Sequence, residues 1–127
     1  MNREAVGIVR AKVRVFSADQ GDSKTLELIV DTGSLFSWVP EEMMQSLGLH
    51  PSERWKVRPI DGRETERPLC DAAIECEGRE GVVPIIFAQP GDFHVLGVTA
   101  LERLGLEVDP RARVLRKQDA TLALALG

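Results

Sequence analysis

Short stretches rich in β-branched residues, each followed by residues typical of turns, dominate this sequence and limit the folds open to it. Residues 6–16 alternate loosely between apolar and polar side chains and are rich in valine. A turn signal at residues 19–22 separates them from a second apolar stretch at residues 25–30. Because alternation followed by turn residues is typical of strands, residues 5–30 are predicted to form a β-hairpin.

The same pattern occurs twice more in the chain. The second predicted hairpin turns at Asp61-Gly62, a pair that suits a tight turn because it tolerates positive φ. The third turns at Glu77-Gly78-Arg79. The predicted strands of these two hairpins are residues 57–60, 63–68, 72–76 and 82–87. Three hairpins in one chain indicate an all-β fold.

Two short helices interrupt the predicted strands. Pro40 suits the first position of a helix over residues 40–47. Residues 99–104 are predicted to form the second helix, with a capping box made by Thr99 and Glu102. Both helices run into the sequence Leu-Gly-Leu. This repeat indicates either an internal duplication of a hairpin–turn–helix unit or simply a common way for a helix to end.

The length and the charge balance exclude several classes of protein. A chain of 127 residues corresponds to one domain, here residues 1–127. Its 16 Lys and Arg against 20 Asp and Glu give a net charge of −4, which argues against nucleic acid or a membrane surface as a partner. The N-terminal residues lack the apolar run of a signal peptide, and no stretch is long enough to span a membrane, so we expect a cytoplasmic protein.

Cysteine, histidine and tryptophan carry weaker signals. Cys70 and Cys76 would lie about 20 Å apart on one strand. Because a disulfide needs Cα atoms within about 7 Å, we expect no local bridge. His50 and His94 lack partners at metal-ligand spacing, so no metal site is predicted. Both tryptophans are predicted to lie in the core.

An aspartate at the end of an apolar strand is the strongest candidate for chemistry. The segment Leu28-Ile29-Val30 runs directly into Asp31-Thr32-Gly33-Ser34. A carboxylate in this position is costly to bury unless hydrogen bonds or a chemical role compensate. Gly33 allows backbone N–H groups to approach the carboxylate, and the two hydroxyls can donate further hydrogen bonds. The alternative is an ordinary turn, because Asp, Gly and Ser are common turn residues.

Together with a second motif, this segment resembles the retropepsin-like aspartic proteases, which include the retroviral proteases and their prokaryotic relatives. The apolar strand with Asp31–Ser34 matches their active-site motif, and Val95-Leu96-Gly97 before a helix matches their second hallmark. The resemblance covers roughly residues 6–110 and points to the small single-domain prokaryotic members. One departure is Val98, where the viral enzymes often carry a polar or charged residue.

This resemblance implies a closed β-barrel, the half-lobe of an acid protease, with one or two short helices. It also implies hydrolysis of a peptide or protein substrate, without a cofactor, by two aspartates that share a proton. The chain contains no second Asp-Thr/Ser-Gly, so a homodimer would supply Asp31 twice. Thr32 would then form hydrogen bonds across the dimer axis, and Ser34 would donate one to the outer carboxylate oxygen.

The resemblance assigns further roles to the second hairpin and to the chain ends. Residues 57–68 fall where the family has its flap, which covers the substrate and excludes water, although a plain surface hairpin is the alternative. The residues expected at its substrate-binding tip are Ile60, Asp61, Gly62 and Arg63. Residues 120–126 alternate Ala and Leu and, with residues 5–9, are candidates for strands shared between two subunits.

Two other functions are compatible with the same sequence. A non-catalytic, dimeric peptide-binding module of this fold would retain the motif because Thr32 and Gly33 hold its dimer together. A small β-barrel scaffold would carry the motif by accident. An intact motif is necessary for catalysis but does not distinguish the enzyme from the binding module.

Overall fold

Nine strands and two short helices make up the part of the chain described by the structure, residues 8–58 and 62–118 of a computed structural model. Strands account for 52% of these residues and helices for 12%, so the predicted all-β class is confirmed. The strands are β1 (Arg10–Phe16), β2 (Ser23–Val30), β3 (Ser37–Pro40), β4 (Glu53–Val57), β5 (Thr65–Cys76), β6 (Arg79–Ala88), β7 (Val95–Leu96), β8 (Leu106–Asp109) and β9 (Val114–Lys117). The helices are α1 (Glu41–Ser46) and α2 (Val98–Leu104).

Seven of the described strands form one sheet, in the order β1-β2-β7-β3-β6-β5-β4. Because β1 also pairs with β5, six of them close into a ring of pairings, and β4 lies outside the ring against β5. β8 and β9 form a separate antiparallel ladder. Alternate residues of β1 are buried, as expected for strands with one face on a core. The core includes the fully buried side chains of Val13, Val15, Phe87 and Leu96.

The strand order of the ring is symmetric with respect to the two halves of the chain. When the two halves are exchanged, β1, β2, β3 and α1 correspond to β5, β6, β7 and α2. The order β1-β2-β7-β3-β6-β5 then becomes its own reverse, and the parallel pair β2–β7 becomes the parallel pair β3–β6. This symmetry supports the internal duplication over a chance similarity of helix ends.

The three predicted hairpins are present, but two of them share a strand. β1 and β2 form the first hairpin and pair along the whole of β1. Residues 63–68 and 72–76, predicted as separate strands, belong to the single strand β5. Pro68 does not interrupt this strand, since it faces only β4 and the pairing of β5 with β6 begins at Leu69. The predicted shared strands at residues 120–126 and most of residues 5–9 lie outside the described residues.

The two helices confirm the predicted positions to within one residue. Pro40 is the N-cap of α1 and not its first residue. α2 begins at Val98 with Gly97 as N-cap and has no side-chain cap, so the predicted capping box of Thr99 and Glu102 is wrong. The physical reason is that backbone carbonyls of the Asp31 loop already accept the first N–H groups of α2.

The structure agrees with the prediction for the two cysteines but not with the prediction for Trp55. Cys70 and Cys76 lie on β5 as free, buried thiols, as expected for residues without a local bridge, and burial raises the pKa of each to about 11. The prediction of a core position is wrong for Trp55, which is 43% exposed because β4 lies outside the ring of strands. Trp38 on β3 is half-buried.

Candidate active site

The two motifs singled out in the sequence lie side by side in the structure. Asp31 directly follows β2, and Gly97 directly follows β7. These two strands pair in parallel, with Val30 opposite Leu96. The N–H of Asp31 donates a 2.9 Å hydrogen bond to the carbonyl of Leu96, so the Asp31 turn starts against the second motif.

A tight turn holds the carboxylate of Asp31. The N–H of Gly33 donates to its Oδ1 at 2.9 Å, and the N–H of Ser34 donates to its backbone carbonyl at 3.1 Å. A Cβ at Gly33 would lie 3.2 Å from Oδ1, so glycine eases this close approach. Asp31 is half-buried, while Thr32 and Gly33 are exposed. None of the ion pairs among the described residues involves Asp31, so its carboxylate has no cationic partner there.

Ser34 does not have the contact that the resemblance implied. Its hydroxyl donates to the carbonyl of Phe36 at 2.7 Å and not to the carboxylate of Asp31. Since a hydroxyl has a single proton to donate, that predicted role is wrong for the single chain. The Ser34 hydroxyl instead stabilises the backbone that leads from the Asp31 turn into β3.

Gly97 occupies a position with no space for a side chain. A Cβ there would meet the carbonyl oxygen of Phe36 and lie 2.8 Å from that of Ser34. The N–H of Gly97 donates a 3.0 Å hydrogen bond to the hydroxyl of Ser37, which is only 2% exposed. Sequence reasoning missed Ser37, although a lone hydroxyl between Phe36 and Trp38 at the start of an apolar strand was a usable signal.

The loop that follows Asp31 also caps α2. The N–H of Val98 donates to the carbonyl of Ser34 at 2.8 Å, and the N–H of Thr99 donates to that of Leu35 at 3.1 Å. These bonds satisfy two of the four N–H groups that a helix leaves unpaired at its start. The segments Asp31–Ser34 and Val95–Gly97 are therefore joined by backbone hydrogen bonds into one rigid unit.

The second half of the chain carries a similar turn that begins with glutamine instead of aspartate. Residues 89–92 follow β6 as residues 31–34 follow β2. The N–H of Asp92 donates to the carbonyl of Gln89 at 2.9 Å, as the N–H of Ser34 donates to that of Asp31. Among the described residues, the repeated strand–turn therefore supplies one carboxylate directly after its strand, that of Asp31.

The predicted flap hairpin exists as β4 and β5, and its role stays a prediction. β4 begins earlier than predicted, at Glu53, and the last described pair joins Val57 to Thr65. Of the four predicted tip residues, Gly62 and Arg63 are described, whereas Ile60 and Asp61 lie outside the described residues. Gly62 has a φ of 82°, which suits glycine at a turn.

Two side-chain contacts attach this hairpin to the site, and both were missed in the sequence. The ring of Trp55 on β4 meets that of Phe36 edge to face, with centroids 5.1 Å apart. Arg67 on β5 forms an ion pair with Asp92, its Nε lying 2.7 Å from Oδ2. Trp55 and Arg67 are directly opposite each other in the β4–β5 ladder. No local pattern signals either contact, because the partners are far apart in the chain.

The Arg67 guanidinium determines the electrostatics of Asp92. Burial acts to raise the pKa of this carboxyl, but the hydrogen bonds from Arg67 and from the N–H of Gln89, together with the positive charge of Arg67, outweigh burial. The pKa of Asp92 therefore lies below its usual value. Asp92 is accordingly a charged partner of the hairpin at neutral pH.

Within residues 8–58 and 62–118, no group of three or more His, Cys, Asp or Glu side chains is arranged to hold a metal ion. Neither α1 nor α2 has the length and apolar character required to cross a membrane. A scan against protein-family models found no match to this chain, and a search of curated proteins found no significant one.

Proposed function

We propose that this protein is an aspartic endopeptidase of the retropepsin type, in which each chain forms a closed β-barrel half-lobe of a homodimer. The observation that carries the proposal is the Asp31 carboxylate. It lies at the end of β2, is fixed by the N–H of Gly33, and belongs to an accessible turn bonded to the Val95–Gly97 motif.

The proposed reaction uses Asp31 from both subunits. Two carboxylates at contact distance cannot both ionise, so the pair holds one proton. The ionised carboxylate takes a proton from a water molecule as the water oxygen attacks the peptide carbonyl carbon, while the protonated one donates its proton to the carbonyl oxygen. The second carboxylate then removes a proton from the resulting diol, and the first donates its proton to the nitrogen as the C–N bond breaks. The products are a carboxylic acid and an amine, and the pair again holds one proton.

A dimer is supported by the turn after β6, which does not begin with an aspartate. The similar turn after β6 begins with Gln89, so in the proposed site a second carboxylate of this kind comes from another copy. Thr32 and Gly33 are exposed on the turn where the two copies would meet. The β4–β5 hairpin, anchored beside this turn through Trp55, is the element proposed to cover the substrate.

Replacing the carboxylate by its amide tests the catalytic role. We expect Asp31→Asn to lower the cleavage rate of a peptide library by about a thousandfold or more while the protein stays folded, because the amide cannot accept the proton of the attacking water. Asp71→Asn, which changes an exposed carboxylate on β5, is the matched control and should cleave like the wild type. Pepstatin should inhibit both active proteins. Undiminished cleavage by Asp31→Asn contradicts the assignment, and peptides that are bound by the wild type but never cut favour the non-catalytic binding module.

Mixing subunits tests the shared site separately. Sedimentation should show a dimer, and a large excess of Asp31→Asn chains should suppress wild-type activity, because each mixed dimer holds one carboxylate. A strict monomer that cleaves peptides overturns the two-chain mechanism.

A further inference from the structure

One ion pair among the described residues is largely shielded from water. The side chains of Arg67 and Asp92 are 16% and 7% exposed, whereas each of the other described pairs has a partner at least 47% exposed. The pair is bidentate, with Nε to Oδ2 at 2.7 Å and Nη2 to Oδ1 at 2.9 Å. A planar fork of this kind fixes the orientation of the two groups as well as their distance. Apolar residues can often replace a shielded pair without loss of stability, so its fixed geometry indicates a role in positioning.

Asp92 is fixed within its own turn. Its Oδ2 also accepts the N–H of Gln89 at 2.8 Å, and its own N–H donates to the carbonyl of Gln89. The Gln89 side chain in turn donates to the carbonyl of Phe87 and to the carboxylate of Glu41 on α1. Arg67 is therefore bound to a carboxylate that is connected through Gln89 to β6 and α1.

Two side-chain contacts attach the outer part of the hairpin to the loops around the site. Trp55 contacts Phe36, which follows the Asp31 turn, and Arg67 contacts Asp92, which precedes β7. The pairing of β5 with β6 begins only at Leu69, so residues 65–68 of β5 have no described strand beside them except β4. The bidentate ion pair adds a contact of fixed direction to the aromatic one, and together they restrict the orientation of this outer part.

We propose that Arg67 and Asp92 are positioning residues that hold the outer part of the β4–β5 hairpin, β4 and residues 65–68, in one orientation relative to the Asp31 turn where the proposed substrate binds. This inference rests on the proposed function. Neither residue touches the reacting atoms, and each acts through the hairpin. Without the pair, each substrate has to order the hairpin when it binds, so KM rises more than kcat falls.

Substitutions at Arg67 separate positioning from a general loss of structure. We expect Arg67→Met to raise KM about tenfold with kcat changed by less than about threefold, and Arg67→Lys to give a smaller rise, since it keeps the charge without the fork. Arg116→Met is the matched control. It removes a guanidinium contact of the same length, Nε to Oδ2 of Asp109 at 2.7 Å, on the separate β8–β9 ladder. This control should leave KM unchanged.

A second measurement follows the hairpin without requiring catalysis. In a Trp38→Phe background, fluorescence reports on Trp55, which lies opposite Arg67. Acrylamide should quench Trp55 faster in Arg67→Met than in Arg116→Met. If KM and quenching match the control in both Arg67 variants, or if KM and kcat change equally, the positioning role is overturned. If the wild type cleaves no peptide, the proposed function fails, and the quenching comparison still decides whether this pair holds the hairpin.

Discussion

Replacing Gly97 by alanine tests whether the two motifs are joined as tightly as the structure indicates. Gly97 has φ −93° and ψ 175°, an extended conformation open to any residue, so the change adds one methyl group without backbone strain. That methyl would meet the carbonyl oxygen of Phe36 and lie 2.6 Å from its carbonyl carbon and 2.8 Å from the carbonyl oxygen of Ser34. These are backbone atoms, so no side-chain rotation relieves the overlap.

The expected cost follows from two effects. Inserting a methyl group into a closely packed region costs about 1–3 kcal/mol. The backbone shift that accommodates it also breaks the bond from the N–H of Gly97 to the buried hydroxyl of Ser37, and an unsatisfied buried group costs about 1–3 kcal/mol. We therefore expect Gly97→Ala to lower the free energy of unfolding by about 4 kcal/mol. This is a large part of the total, since the free energy of unfolding of a typical domain is about 5–15 kcal/mol.

Urea unfolding followed by tryptophan fluorescence measures this change. All variants are compared at one chain concentration, because the proposed dimer would make stability depend on concentration. Gly21→Ala is the control. Its Cβ would lie 3.3 Å from Oδ1 of Asp19, an exposed side chain that needs to shift by only a few tenths of an ångström, so we expect a change below about 1 kcal/mol. A Gly97→Ala protein as stable as this control refutes the close packing of the Asp31 loop on the second motif.

Two further predictions concern titratable groups. Burial raises the pKa of Cys70 and Cys76 to about 11, so at pH 8 about one thiol in a thousand is ionised. A disulfide reagent such as DTNB should therefore label both thiols only in urea. Rapid labelling of the folded protein would contradict their burial. The pKa of Asp92 is lowered on folding, so this carboxylate contributes stability that is present above the unfolded value of about 3.9 and lost as the pH falls through the folded value. The urea midpoint should therefore fall less steeply between about pH 5 and pH 3 in Asp92→Asn than in the wild type, and equal slopes would show that Arg67 does not hold Asp92 ionised.

Features of the fold that depend on neighbouring residues were predictable from the sequence. The hairpin of β1 and β2, the helix after Pro40 and the turn at residues 77–79 each follow from local alternation, proline or glycine. The β5 strand was predicted as two pieces, residues 63–68 and 72–76. Sheet pairing decided that they are one strand, because it places Pro68 beside β4 alone, where β5 has no second described partner.

The residues of the candidate site were likewise predictable only in part. Asp31 and Gly33 were identifiable because a carboxylate that ends an apolar strand is costly to bury without hydrogen bonds, and Gly97 was identifiable through the resemblance to the protease family. The bonds of Ser34 to Phe36 and of Gly97 to Ser37 were not, since they depend on which segments the sheet brings together. The capping box was wrong for the same reason: backbone carbonyls of a distant loop had already satisfied the helix.

By itself, the sequence determined the class of fold, the order of the two motifs and the single Asp-Thr-Gly motif that the chain carries. Only the tertiary structure decided that the two motifs share backbone hydrogen bonds, that the similar turn after β6 begins with Gln89, and that Arg67 reaches Asp92. The physical reason is the range of the interactions. Turn chemistry and strand alternation act between neighbours along the chain, whereas a bidentate ion pair or a buried hydroxyl acceptor exists only once parallel and antiparallel pairings have brought remote segments together.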